Sequence, residues 1–378
     1  MKKVVHIITG LENGGAEAIL YRLIINTDSI YQHEVVSLTN DGFYGVLLRD
    51  KGIKVTSLNL KSSLIIPFGI IKLIKIINFS KTNIIQTWMY HADIFGGLVA
   101  KCIGIKNIIW GIHSTYLNPN ETKFTTKLIV ILSKFLSYII PSKIICCSNV
   151  ALESHIEIGY CKKKMIVINN GFDTSKFISN LDLRKVVRKD LNIEDNFFVI
   201  GMIARWHPVK DHNTLLRSLN KVKIDLLNWK CILIGEGITI NNQDLQTLIN
   251  SYGLQENVIC LGPVIDINAI INALDIHILS SSSESFGNVT AEAMSCSIPC
   301  IMTDVGEARN LLAQDCWIAE PRNDLQIAEA IKSAYFIYNN KEDWNLLKDK
   351  CRKIIIDNYS INNMISNYIN VWTKDFFL

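Results

Sequence analysis

Ser281-Ser282-Ser283-Glu284-Ser285-Phe286-Gly287-Asn288-Val289-Thr290-Ala291-Glu292-Ala293-Met294-Ser295 places two carboxylates, a glycine and a helix start in one compact unit. The run before it, 273–280, is apolar with β-branched residues and predicts a strand, while the residues after Asn288 have helical character. Glu284 then sits on a strand-to-helix loop. Glu292 falls about two turns into the helix, roughly 12 Å along its axis at most. The free N–H groups of a helix start favour an anion. Two acids flanking an anion site suit a ligand with phosphate in the middle and hydroxyl groups at both ends, as in a nucleotide sugar.

Outward from that stretch, short apolar runs alternate with helical ones. The first half predicts strands at 4–9, 34–38, 54–59, 84–88, 107–113, 143–148 and 165–169. The second half predicts them at 197–204, 230–235, 258–261, 276–280, 299–303 and 316–319. Buried strands separated by helices imply an α/β fold with parallel sheets covered on both faces. Two such series imply two Rossmann-like domains whose sheets face each other across a cleft. The expected division is 1–175 for the first domain, 176–196 for a polar linker and 197–356 for the second domain. The aromatic-rich tail, 357–378, is expected to pack back on the first domain as a helix. Ligands of parallel sheets bind at the carboxyl ends of the strands, and the motifs below all follow strands.

Composition sets limits. At 378 residues the chain is too long for one ordinary core, and 49% hydrophobic with 20% charged residues marks it as globular. The 10 cysteines form no Cys-x-x-Cys pair and read as reduced core thiols, with neither zinc nor a disulfide frame. The first ten residues read as a buried strand and not a signal peptide. No stretch reaches the ~20 apolar residues that span a bilayer. Residues 1–180 carry 20 Lys and Arg against 11 Asp and Glu, and residues 181–378 carry 19 against 24, so the halves are +9 and −5. A basic, apolar-rich first half points to an anionic membrane surface, with 65–79 around Lys72 and Lys75 as the contact segment or, equally, a core helix with solvated lysines. A nucleic-acid partner is not expected.

Five landmarks carry a family resemblance: Gly14-Gly15-Ala16-Glu17, Ile109-Trp110-Gly111-Ile112-His113, Asn169-Asn170-Gly171-Phe172-Asp173, Ala204 to Asp211 with Arg205 and Lys210, and the Glu284-x7-Glu292 spacing. In this order they resemble the retaining GT-B glycosyltransferases grouped as family 4. The resemblance covers almost the whole chain and is nearest to bacterial enzymes of surface polysaccharide synthesis. It implies a cytoplasmic enzyme, peripheral on the inner face of the membrane, that moves a sugar from a UDP- or GDP-sugar to a hydroxyl of a glycan or polyprenyl-linked oligosaccharide.

Residue chemistry and resemblance together give the roles. Arg205 and Lys210 follow a strand and can neutralise one diphosphate, Arg as a fork and Lys as a point charge. No Asp-x-Asp occurs in the chain, so those cations and the Asn288 helix start are expected to replace a metal, and no cofactor is expected. By resemblance, Glu284 binds donor-sugar hydroxyls and Glu292 the ribose. The backbone at Phe286, Gly287, Asn288 and Val289 serves sugar and phosphates. Val264, after Gly262-Pro263, lies against the nucleobase, and His113 sits beside the attacked carbon. The loop departs from the common Gly-then-Phe-Pro form, having Ser285-Phe286-Gly287, which puts the sugar preference in question. Gly14 and Gly15 allow close backbone approach to a phosphate or sugar. His91 and Asp93 are acceptor-side candidates, although Asp93 serves equally as an N-cap for a helix over 94–101. A nucleotide-sugar epimerase and a two-lobed ligand-binding protein remain as rival readings.

Overall fold

The computed structural model describes residues 1–60, 66–80, 82–115, 124–312 and 316–373. The chain divides into two compact units, Met1–Gly171 with Ile361–Leu378, and Phe172–Ser360. Both are α/β units built on a parallel sheet.

The first unit runs β1 (Lys3–Ile8), α1 (Gly15–Thr27), β2 (Gln32–Ser37), α2 (Gly42–Asp50), β3 (Lys54–Ser57), α3 (Ile66–Phe79), β4 (Ile84–Trp88), α4 (Tyr90–Cys102), β5 (Ile108–Ile112), α5 (Phe124–Leu136), β6 (Lys143–Cys146), α6 (Asn149–Ile158) and β7 (Met165–Val167). The second runs α7 (Leu181–Asp190), β8 (Phe198–Ile203), α8 (His212–Val222), β9 (Trp229–Ile234), α9 (Gln243–Ser251), β10 (Val258–Cys260), α10 (Ile267–Ala273), β11 (Ile276–Leu279), α11 (Asn288–Ser295), β12 (Cys300–Thr303), α12 (Ala308–Leu311), β13 (Trp317–Ala319), α13 (Asp324–Tyr338) and α14 (Lys341–Asn358). The last helix, α15 (Ile361–Thr373), returns to the first unit.

Sheet order is β3-β2-β1-β4-β5-β6-β7 in the first unit and β10-β9-β8-β11-β12-β13 in the second. Every neighbouring pair is parallel. The thirteen strands among the described residues fall within the runs expected from sequence or one to two residues from them. They are mostly apolar because helices cover both faces, with polar residues such as Glu34 and Gln86 as exceptions. Side chains alternate accordingly. Val5 and Ile7 join a core with α3, α4 and α5 residues such as Leu73, Val99 and Val130. Val4 and Ile8 join one with Leu20, Met364 and Trp372. Helix α4 lies close on the sheet because a Cβ at Gly96 would meet Ile7 at 2.8 Å and one at Gly97 would meet Trp110 at 2.8 Å.

The division differs from the expected one. The first unit ends at Gly171, and 176–196 is no tether but part of the second unit. Helix α7 packs on α10, and Arg188, 1% exposed, bonds Asp275 at 2.7 Å. A charged amphipathic helix reads as a linker when its partner, a buried aspartate ahead of β11, is far away in sequence. The sheet orders reverse between β1 and β4 and between β8 and β11. At such switch points the loops leaving adjacent strands run to opposite faces and open a crevice at the carboxyl edge.

Candidate functional site

In the second unit the switch point brings together the loops after β8 and β11. They are stitched by backbone and serine bonds. The Ser282 N–H donates to the Val209 carbonyl at 2.8 Å, and the Ser280 hydroxyl donates to Asp211 O at 2.9 Å. Lys210 closes a short 3-10 turn, Pro208–Lys210, and Asp211 (φ +49°) then caps α8 through the Thr214 N–H at 3.2 Å. This turn directs the Lys210 ammonium onto the Glu284 carboxylate as an ion pair. Ser281 Oγ donates to the same Oε1 at 2.7 Å. The residues expected to meet a phosphate and a sugar, sixty or more positions apart in sequence, are thus side by side. Arg205, on the same loop, is exposed and has no partner among the described residues.

Below Glu284 the loop is fixed from two sides. Thr303 Oγ1 donates to the Ser281 carbonyl, and Gly306 packs so closely that a Cβ there would strike the Glu284 and Ser285 carbonyls. Phe286 is 2% exposed and stacks on Phe172 at 5.8 Å with Tyr359 edge-on at 5.4 Å. Its side chain is core, so only its backbone is available to a ligand. Gly287 (φ +88°) is the N-cap of α11 and brings no side chain to cap it. A Cβ on Gly287 would also press on the Met302 methyl at 2.8 Å, and the backbone angle itself favours glycine. The first-turn amides, Asn288 and Val289 among them, point out of the helix start toward the loop.

Glu292 lies nearer that start than the spacing suggested. Because α11 begins at Asn288, Glu292 is one turn in, about 6 Å along the axis, and only 7% exposed. The β9 and β10 loops form the next stretch of the same edge. The Gly235 N–H donates to Gly262 O at 2.9 Å and the Trp206 N–H to Glu236 O at 2.7 Å. Val264 follows, half-buried against the core. Since β9 intervenes between β8 and β10, Val264 lies about 10 Å from the Lys210 loop across the strands.

The first unit's switch point holds the start of α1 and the start of α4. Gly14 precedes α1, and a Cβ there would collide with the Glu17 carboxylate folded back over it, while Gly15 is exposed at the first helical position. His113 follows β5 one strand further along. Its ring lies flat on Trp88, centroids 4.8 Å and planes 19° apart, and burial pushes its pKa down to about 4. It is therefore neutral near pH 7, with Nε2 buried and unpartnered among the described residues.

Trp88 was not singled out from sequence, yet it holds His113 in place. Tyr368 of α15 stacks on it at 6.1 Å, and its indole N–H donates to His6 Nδ1 at 3.2 Å. That bond assigns the remaining protons. His6 Nε2–H donates to His33 Nδ1 at 3.0 Å, His33 Nε2–H to Thr27 Oγ1 at 2.9 Å, and the Thr27 hydroxyl to Leu23 O at 2.6 Å. Burial holds both imidazoles neutral, His33 with a pKa of about 4.

Two acceptor-side assignments part company here. His91 is exposed on α4. Asp93 is 1% exposed and accepts from Thr87 Oγ1 at 2.6 Å, and burial pushes its carboxyl well above the usual range. It can neither meet an acceptor nor cap the helix, because α4 starts at Tyr90, three residues earlier. The cause is Met89, whose φ of +71° turns the chain directly from β4 into α4. Nothing in a methionine signals that conformation.

Comparison with known proteins agrees with this architecture. Residues 13–176 match the model of glycosyltransferase family 4, and residues 184–349 match that of glycosyl transferases group 1. The chain is similar to the UDP-Gal:alpha-D-GlcNAc-diphosphoundecaprenol alpha-1,3-galactosyltransferase of Escherichia coli, 24% identical over 300 residues, covering 78% of this chain and 76% of that protein. It is also similar to the O-antigen biosynthesis glycosyltransferase WclY of Escherichia coli, 23% identical over 389 residues and 99% of both chains. Among solved structures, Anabaena Alr3699/HepE in complex with UDP-glucose superposes with a TM-score of 0.85, at 19% identity, over 98% of this chain and 99% of that one. The fold is GT-B, and the chain is a glycosyltransferase of the family-4-like type.

Proposed function

We propose that the protein transfers a sugar, with retention of anomeric configuration, from a UDP- or GDP-sugar to a hydroxyl of a lipid-linked glycan in bacterial surface polysaccharide synthesis. The observation that carries this reading is the Lys210–Glu284 pair beside the glycine-led start of α11. A cation, a carboxylate and outward-pointing amides within one loop cluster suit a diphosphate joined to a sugar. The stretch from that cluster to Val264, about 10 Å, suits the nucleoside. The E. coli relative named for UDP-Gal and a diphosphoundecaprenol acceptor, and HepE solved with UDP-glucose, support the donor and acceptor classes.

As the glycosidic bond lengthens, charge gathers on the departing diphosphate. Lys210, Arg205 and the α11 amides stabilise that charge more in the transition state than in the bound donor. They do so without a divalent metal. Glu284 holds sugar hydroxyls and offsets positive charge developing on the sugar. The acceptor hydroxyl attacks on the face the phosphate leaves, and a leaving phosphate oxygen takes its proton. No covalent carboxylate nucleophile is then needed. His113, neutral, offers a hydrogen bond to the sugar, and Glu292 accepts from the ribose hydroxyls.

The acceptor end of the reading rests on the first unit. Helices α3 and α5 both pack on α4 and expose Phe68 (72%), Phe79 (87%) and Phe135 (60%), with Ile139 (64%) on the turn after α5, near Lys72, Lys75 and Lys134. An apolar, basic face of this kind suits an anionic membrane interface at the cytoplasmic side. Among the described residues, no helix is long and apolar enough to cross a membrane.

A panel of UDP- and GDP-sugars, read by nucleoside diphosphate release and by NMR of the product anomer, tests the proposal. One donor turned over to a retained product, at a rate unchanged by EDTA, is the expected result. Inversion, loss of activity in EDTA restored by Mn²⁺, or isomerisation of the donor without an acceptor would each overturn the corresponding part. Liposome flotation with no binding to anionic vesicles at low salt would remove the membrane contact.

A further inference from the structure

The second unit has a cavity of about 170 Å³ at the edge of its sheet opposite the donor loops. Its lining includes Asn180, Arg184, Asp275, Tyr338, Trp344 and Lys348. Asp275 immediately precedes β11 and Glu284 follows it, so the length of that strand, about 13 Å, separates cavity and donor site. The charges around the cavity do not balance. Asp275 is its only lining carboxylate among the described residues, and both its oxygens already accept hydrogen bonds. Oδ1 receives Arg184 at 2.6 Å, while Oδ2 receives Arg188 at 2.7 Å and the Val199 N–H at 2.7 Å.

Lys348 is half-buried and has no hydrogen-bond or ion-pair partner among the described residues, and the Tyr338 hydroxyl has none either. Arg184 and Lys348 line the cavity against the single carboxylate of Asp275, an excess of one positive charge among the lining groups. Burial and, after it, the nearby Arg184 lower the Lys348 pKa, while Asp275 and Asp349 act the other way. The start of α7, capped by Asn180, adds the positive end of a ten-residue helix. Trp344 and Leu274 supply an apolar wall.

We propose that this cavity binds a small oxyanion of the phosphate class, either free phosphate or a phosphomonoester. Lys348 and Tyr338 donate to it, and Lys348 and Arg184 supply the positive charge that draws it in. This site is separate from the donor site and does not depend on the function proposed above.

The test uses the full chain carrying Arg205→Ala and Lys210→Ala, which removes the donor-loop cations as competing phosphate ligands. Inorganic phosphate is titrated at constant ionic strength, with ³¹P line broadening and the thermal midpoint as readouts. Saturable binding is expected, weakened about tenfold or more by Lys348→Gln and also reduced by Tyr338→Phe. Glycerol phosphate in place of phosphate separates the sources. Tighter binding of the monoester identifies an organic phosphate, and equal or weaker binding identifies the free ion. If Lys348→Gln fails to fold, Tyr338→Phe decides. No saturable binding, or binding unchanged by both substitutions, overturns the proposal.

Discussion

Replacing His277 by leucine is expected to make the second unit more tolerant of acid. His277 lies in β11 at 0% exposure, and neither ring nitrogen has a partner among the described residues. Its sheet neighbours in register are Gly201 and Cys300, small residues that leave room for a ring or a leucine. Burial alone pushes its pKa from 6.5 to about 3. The folded state therefore refuses a proton that the unfolded chain accepts near pH 6.5. Stability is unaffected above that value and falls as pH drops from 6.5 toward 3. Integrating this linkage from about pH 7.5 to pH 5 gives a loss of about 2 kcal/mol from His277 alone. His277→Leu should remove that share and, by deleting two unsatisfied nitrogens, should cost nothing at neutral pH. Urea unfolding of both proteins at the two pH values measures it, with hydrogen exchange of β8 and β11 peptides assigning the transition to this unit. The other buried imidazoles, such as His212 with a pKa of about 4, contribute equally to both proteins and cancel. An identical pH-dependent loss in both would refute the reasoning.

Lys210→Ala and Arg205→Ala should each lower kcat by roughly 10²-fold or more, measured as nucleoside diphosphate release at saturating donor. In Lys210→Ala the carboxylate of Glu284 faces an anionic donor without its cation, so adding Glu284→Gln should recover donor affinity lost in the single variant, read as a KM closer to wild type. Glu292→Ala should weaken nucleotide binding with little change in kcat. Unchanged affinity for the nucleoside diphosphate by calorimetry would contradict its ribose role.

The strands were legible because parallel strands buried on both faces read as unbroken apolar runs, and β8 (Phe198–Ile203) and β11 (Ile276–Leu279) carry no charge to interrupt them. The loop and helix start over 284–292 were legible as one unit because glycine at 287, a helix start and two acids are local in sequence. Contacts made across the sheet were not. Trp88 supports His113 only because β4 and β5 are neighbours and α15 returns from the far end of the chain. Asp93 looked exposed because its burial follows from a positive φ at Met89. The polar stretch 176–196 looked like a tether because the acid that anchors it, Asp275, is more than eighty residues away.

The ion pair at the donor loop follows the same logic of distant partners and has a functional sense on the proposed reading. Lys210 and Glu284 have side chains 25% and 13% exposed, so each keeps some access to water. In a pair this far buried, part of the attraction is offset by the desolvation of both groups. An unpaired lysine in the same crevice would bear a desolvation cost before any ligand arrived. Glu284 offsets that cost while the site is empty. The ammonium has three donors, so it can turn one or two toward a diphosphate without surrendering the carboxylate altogether. Once a diphosphate shares the lysine, Glu284 has lone pairs to spare for sugar hydroxyls, which lie on the other side of the same phosphate. One contact thus keeps the cation poised for the leaving group and the acid poised for the sugar. It needs no movement larger than a side-chain rotation, because serine bonds from Ser280 and Ser282 hold the two loops together.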